Sequence, residues 1–132
     1  MRVFLDANIL FSAAQPQSRM RALLDVLLDQ AKCLTNDYAV EEARRNLAVK
    51  FPDGVKALEK LVKQCEIVSR LEADLKVELP LKDVPILGGA IASHATHLLT
   101  GDEQHFGEFW GKTMQGVKIV SPRMVAEELR LS

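Results

Sequence analysis

Five short apolar runs, separated by segments of helical period, set the tightest limit on how this chain folds. The runs are RVFL (2–5), KCLT (32–35), EIVS (66–69), HLLT (97–100) and VKIV (117–120). Each has the length and character of a buried strand. SRMRALLDVLLDQA (18–31) carries Met20, Leu23, Leu24, Leu27 and Leu28 at helical spacing, so it reads as an amphipathic helix. Asn36 is a plausible N-cap for a helix through about Val49, with Val40, Ala43 and Leu47 on one face. Pro52 and Gly54 punctuate, and VKALEKLVKQC (55–65) is a further helix. Residues 70–82 are charged and read as a partly helical connection. Asp83 is a candidate N-cap, Pro85 suits the first turn that follows, and Gly88-Gly89 lets that helix lie close to its neighbours. GDEQHFGEFW (101–110) reads as a loop or short turn. The last strand is followed by a helix with Ser121 as N-cap and Pro122 at its first position. Strands joined by helices imply right-handed βαβ units and a mainly parallel sheet, hence an α/β fold.

A chain of 132 residues suits one domain with a single core, spanning 1–132. The net charge of -1 gives no broad basic surface, so any nucleic-acid binding must be local. No apolar run approaches the ~18 residues of a membrane span, and the N-terminus has no h-region of a signal peptide. Cys33 and Cys65 are far apart and form no CxxC, which reads as two reduced buried thiols in a cytoplasmic protein.

The stretch VFLDANILFS (3–12) is odd as plain core, because Asp6 and Asn8 interrupt an apolar run. In parallel α/β sheets the ligand site lies beyond the carboxyl ends of the strands. Asp6 directly follows the first strand, and Asp102 follows HLLT after Thr100 and Gly101. Asp83 opens the helix leading into HLLT, and Glu41 and Glu42 lie in the first two turns of the helix after KCLT. Four carboxylates therefore converge on one sheet edge, although helical spacing does not separate Glu41 from Glu42. Clustered carboxylates repel one another, and a divalent cation neutralises them. Oxygen ligands without Cys or paired His favour Mg²⁺ or Mn²⁺ over Zn²⁺. Such a cation also binds phosphate oxygens and lowers the pKa of bound water, which suits phosphodiester hydrolysis. Taken singly, each acid has a bland reading as a turn, cap or solvated helix-face residue.

Taken together, these residues resemble the PIN domain, a small metal-dependent nuclease fold, over nearly the whole chain. VFLDANILFSA resembles its opening motif. LTNDYAVEEARRNL resembles the second, whose Glu is followed five residues later by Leu. That register selects Glu42, with Leu47 trailing. DVPILGGAIASHATHLLTGDEQHF resembles the third and fourth, giving Asp83 and Asp102, with Thr100 near the metal and His105 in the trailing loop. The resemblance implies a three-layer α/β/α domain with a VapC-like activity. That activity is endonucleolytic cleavage of single-stranded RNA with one or two Mg²⁺ or Mn²⁺, leaving a 5′-phosphate and a 3′-hydroxyl. It further implies a homodimeric toxin held by a separate antitoxin chain. Asp6, Glu42, Asp83 and Asp102 then hold metal directly or through water, some of them orienting that water or taking its proton. Asn8 and Thr100 orient the acids or contact the scissile phosphate. The family often has Ser where this chain has Asn36. Arg19, Arg21, Arg45 and Lys82 are candidate phosphate contacts.

Rival readings are weaker. A haloacid-dehalogenase-type phosphatase wants a second Asp two residues after the first, where this chain has Asn8. A receiver domain wants adjacent acids near the first strand. A Walker-type NTPase wants GxxxxGK[ST], which is missing. A non-enzymatic PIN-like interaction module remains as an alternative to the nuclease. His94 and His97 are three apart, but His97 begins a strand, which disfavours a metal pair. Phe106, Phe109 and Trp110 either stack on bases or cap a hydrophobic edge, and the cap is favoured.

Overall fold

A computed structural model of the chain describes residues 1–69, 75 and 78–130. Six strands form one sheet: β1 (Arg2–Leu5), β2 (Lys32–Asn36), β3 (Glu66–Val68), β4 (His97–Leu99), β5 (Thr113–Met114) and β6 (Val117–Val120). Their order is β3-β2-β1-β4-β6-β5, parallel throughout except for the antiparallel β5–β6 edge pair. The helices are α1 (Ala7–Ala13), α2 (Arg19–Gln30), α3 (Asp37–Lys50), α4 (Gly54–Val62), α5 (Val84–Ala92), α6 (Glu103–Phe106) and α7 (Pro122–Glu128). The five expected strands and the expected helices form within a residue or two of their sequence limits, apart from the C-terminal end of α4. No helix among the described residues is long and apolar enough to cross a membrane.

The chain steps from β1 to β2 to β3 in one direction and returns across them to β4. With right-handed crossovers these two movements lie on opposite faces of the sheet. Accordingly α1 packs on α2, α3 and α4, whereas α5 lies against β2 and β4. The central strands are buried on both sides, which explains why they read as unbroken apolar runs. Val3, Phe4, Leu5, Leu34, Leu98, Leu99, Ile119 and Val120 form their core together with Leu24, Leu27, Leu47, Leu58 and Leu61 from the helices. Cys33 is buried and Cys65 half-buried, both as free thiols. Burial pushes the Cys33 thiol up to about 12 and the Cys65 thiol up to about 11, so neither is reactive at neutral pH.

The structure departs from the sequence expectation in four places. ANILFSA is a helix entered directly from Asp6, where the sequence showed only an interrupted apolar run. Its Ile9, Leu10 and Ala13 are buried, so the apolar residues after Asp6 are a helix face and not a continued strand. GDEQHFGEFW, expected as a loop or short turn, is more regular: it forms the single-turn helix α6 and a following 3₁₀ turn, Gly107–Phe109. The short β5 strand was not foreseen, since Thr113–Met114 has no apolar run of its own. Asp83 does not cap α5: it sits in helical conformation at the end of a 3₁₀ turn, Leu81–Asp83, and its side chain makes no cap hydrogen bond. The expected partly helical connection over 70–82 falls largely on residues 70–74 and 76–77, which lie outside the described ones.

Candidate metal centre

Strand register builds the site. Leu5 pairs with Leu99 and Phe4 with Leu34, so continuing the register by one step and by two sets Asp6 between Thr100 and Asn36 at the carboxyl edge. The Asp6 amide still donates to the Leu99 carbonyl at 3.1 Å. Its side chain is 4 % exposed and accepts three hydrogen bonds. Oδ1 takes the Ala7 N–H at 2.6 Å, and Oδ2 takes Asn8 Nδ2 at 3.1 Å and Thr100 Oγ1 at 2.8 Å. Burial nevertheless raises its pKa to about 6; the Thr100 and Ala7 bonds oppose that rise, and the charges of Asp83 and Glu42 add to it.

Thr100 is fully buried. While donating to Asp6, its hydroxyl accepts the Asp102 amide at 3.1 Å. Asn8 bridges the two strand exits: Nδ2 reaches Asp6, and Oδ1 accepts the Gly101 amide at 2.8 Å. Asp102 caps α6, with Oδ1 accepting the His105 amide at 3.0 Å. Asn36 caps α3 through the Ala39 amide at 2.9 Å and donates Nδ2 to the Pro85 carbonyl at 3.2 Å, tying α3 to α5.

A cleft of about 150 Å³ is lined by Asp6, Ala7, Asn8, Phe11, Glu42, Asn46, Lys50, Lys82, Asp83 and Asp102. The structure therefore gathers the six candidates: five line the cleft, and Thr100 lies directly behind Asp6. Glu41 points elsewhere and pairs with Arg44 at 2.7 Å. The cleft thus takes Glu42, the glutamate the motif register selects: Glu42, Asn46 and Lys50 fall at i, i+4 and i+8 on the cleft stripe of α3. Asn46 and Lys50 were missed in the sequence, although that spacing was available to find them. Among the phosphate candidates only Lys82 lines the cleft. Arg19 lines a groove between α2 and α7, Arg21 pairs with Asp25, and Arg45 is exposed near Tyr38.

His105 was expected only as a residue of the trailing loop. Its Nδ1 lies 2.8 Å from Asp83 Oδ2 and 3.2 Å from Asp102 Oδ2. Asp83 is 5 % exposed, and burial raises its pKa, partly offset by His105. Despite these short separations, Asp83 Oδ2 and His105 Nδ1 are buried without a hydrogen bond of acceptable geometry among the described residues. Buried polar atoms are normally paired, and such orphans are explained by function or by a bound ion. Four carboxylates face two ammonium groups across the cleft, so its field favours a cation. On these grounds the residues fit a divalent metal, and Asp83, Asp102 and His105 are close enough together to hold one.

The remaining sequence alternatives are also placed. His97 opens β4 and pairs with Glu128 at 3.1 Å, away from His94, which has a left-handed φ of 57°. Trp110 donates its indole N–H to the Thr100 carbonyl at 3.2 Å, Phe106 is buried, and Phe109 packs on the core. These aromatics cap the hydrophobic edge.

A mostly parallel six-stranded sheet between helices, with acids gathered beyond its strand ends, defines the PIN-like fold. No protein-family model matches the chain, and no curated protein matches it at a significant level. Among solved structures it is similar to VapBC2 from Rickettsia felis bound to a promoter DNA fragment. The TM-score is 0.69 at 16% identity, over 92% of this chain and 98% of that one. It is also similar to FitAcB from Neisseria gonorrhoeae, with TM-score 0.58 and 17% identity over 92% and 98% of the two chains. VapC20 of Mycobacterium tuberculosis, a toxin that cleaves the sarcin–ricin loop, aligns at TM-score 0.53 and 12% identity over 76% and 91%.

Proposed function

We propose that the chain is a single-domain, metal-dependent endoribonuclease acting on single-stranded RNA. We further propose that it is the toxin of a toxin–antitoxin pair, works as a homodimer in the cytoplasm, and is held by a separate antitoxin. The observation that carries the nuclease reading is the orphaned Asp83 Oδ2 in a cleft lined by four carboxylates, with His105 Nδ1 beside Asp83 and Asp102. The RNA and antitoxin parts rest on the motif resemblance and on likeness to VapC20, VapBC2 and FitAcB; the dimer part rests on the motif resemblance alone.

Asp6, Glu42, Asp83 and Asp102 are the residues that would hold Mg²⁺ or Mn²⁺, directly or through water. When bound, the ion supplies Lewis acidity toward phosphate oxygens and lowers the pKa of coordinated water. Asp6 has most of its lone pairs engaged by Ala7, Asn8 and Thr100, so it suits the role of a fixed proton acceptor better than that of a chelator. Its pKa of about 6 keeps it ionised yet appreciably basic near neutral pH. Thr100 and Asn8 hold its carboxylate in one orientation, and their link through Gly101 fixes its distance to Asp102. Lys82 and Lys50 line the same cleft and suit phosphate oxygens as point charges. A phosphatase reading loses support at Asn8, since the position of a second acid is taken by an amide that both donates and accepts.

The test is purified wild type, Asp6→Asn and Asp83→Asn incubated with structured and single-stranded RNA in Mg²⁺ or Mn²⁺, with end mapping. Wild type should cut single-stranded regions, leaving 5′-phosphates, and both variants should lose at least 100-fold in rate. Equal cleavage by Asp6→Asn, or none by wild type in either ion, would overturn the assignment.

A further inference from the structure

We infer that His105 Nδ1 is itself a metal ligand, and that it turns an oxygen cluster into a mixed nitrogen–oxygen site that selects Mn²⁺ over Mg²⁺. The inference rests on the nuclease reading and specifies its ion.

Three observations support it. First, Nδ1 stands 2.8 Å from Asp83 Oδ2 and 3.2 Å from Asp102 Oδ2, and one donor atom from each of the three residues falls within 4.8 Å of the others. Adjacent ligands on an octahedral ion with bonds near 2.1 Å are about 3 Å apart, and opposite ones about 4.2 Å. Both separations from Nδ1 therefore fit neighbouring positions on such an ion. Second, an imidazolium clamped between two carboxylates would aim its N–H at one of them. Here the two atoms approach closely, yet among the described residues neither Nδ1 nor Asp83 Oδ2 has a hydrogen bond of acceptable geometry. Third, the ring is positioned from its own backbone: Asp102 caps α6 through the His105 amide. The same carboxylate thus places the histidine with one oxygen and faces its ring with the other.

The chemical consequence concerns selectivity. Mg²⁺ is a hard ion bound through oxygen, whereas imidazole suits transition metals. One nitrogen among carboxylates shifts preference toward Mn²⁺ while leaving the site well short of a zinc site. Asp6, with its three hydrogen bonds, stays outside this ligand set. The cation then sits at Asp83, Asp102 and His105, on the Asp102 side of the acid cluster.

The test uses the full chain loaded with Mn²⁺ and pulsed electron paramagnetic resonance, which detects a directly bound ¹⁴N without any substitution. Calorimetric titration with Mn²⁺ and Mg²⁺ accompanies it on wild type, His105→Asn and His105→Gln. The expected result is a ¹⁴N coupling in wild type and tighter binding of Mn²⁺ than Mg²⁺. In the variants the coupling should vanish and Mn²⁺ affinity should fall on the order of tenfold or more, with Mg²⁺ affinity changing less. Bound Mn²⁺ without ¹⁴N coupling would overturn the inference and leave the nuclease reading standing. So would an unchanged Mn²⁺ to Mg²⁺ ratio in folded variants, which would make His105 an ion-pair partner only. Failure of wild type to bind either ion would overturn both.

Discussion

Asp6 shows how a residue can be held in place at a cost to stability. Its carboxylate is buried among donors that orient it, yet its folded pKa of about 6 exceeds the ordinary 3.8. The folded state therefore binds the proton more tightly than the unfolded chain. The associated stability is fully present below pH 3.8 and is lost as pH rises through 6, about 3 kcal/mol in all. Asp6→Asn removes this dependence. In urea unfolding, the stability difference between variant and wild type should move in favour of the variant by up to about 3 kcal/mol between pH 4 and 7. A pH-independent difference would contradict the linkage. The Asn side chain offers one acceptor where the carboxylate serves three donors, so the absolute gain at pH 7 should be smaller than that swing. Asn8→Asp tests the neighbouring amide. It keeps the acceptor for Gly101 but replaces the Nδ2 donor with a charge facing Asp6 Oδ2 across 3.1 Å. The expected loss is about 1–3 kcal/mol at pH 8, shrinking in acid where Asp6 is protonated; thermal unfolding at both pH values reads it.

At the level of elements, the join between α5, β1 and α3 decides where Asp83 stands. Gly89 lets α5 approach the sheet: a Cβ there would lie 2.6 Å from Asn36 Nδ2 and 3.2 Å from Phe4 Cζ. Asn36 is pinned by its bonds to Ala39 and Pro85, and Phe4 is fully buried, so neither yields freely. Gly89→Ala should cost about 1–3 kcal/mol through overpacking, opposed by the roughly 1 kcal/mol that Ala gains over Gly within a helix. It should also weaken Mn²⁺ binding, because Asp83 precedes the first turn of α5. Calorimetry alongside thermal unfolding checks both, and a variant as stable as wild type with unchanged affinity would show that α5 can shift at no cost. Asn36 also accounts for itself: an amide can cap α3 and donate to α5 at once, whereas Ser would cap with a shorter reach.

For the whole molecule, the acids form a charge-imbalanced cleft at one end of an otherwise well-packed sheet. A cation that binds only the folded chain stabilises it by about 2.7 kcal/mol at 100 times its dissociation constant. Millimolar Mn²⁺ should therefore raise the midpoint of thermal unfolding of wild type by several degrees. Asp83→Asn and Asp102→Asn should show little of this rise; an equal rise in both would place the ion elsewhere. Much of this organisation was legible beforehand, because each central strand is an apolar run and each long helix carries its own period and cap. Where local signals were short or ambiguous, the reading failed. ANILFSA gave no helix signal because seven residues make barely two turns, too few to show a helical period. Residues 101–110 looked like loop because α6 is a single capped turn, and β5 is two residues added to an edge.

The sequence by itself determined the α/β class, the succession of the five main strands along the chain, and the residues that end them. Those features depend on neighbours along the chain, through periodicity, capping and burial. Helical spacing does not separate Glu41 from Glu42; the motif register selects Glu42, and the tertiary structure turns it toward the cleft and Glu41 toward Arg44. Only the tertiary structure decided that Asp83 leaves its cap and turns toward His105, and that Lys82, not Arg19 or Arg21, lines the acid cluster. These outcomes depend on strand register and helix packing, which bring together residues dozens of positions apart, and no local propensity encodes them.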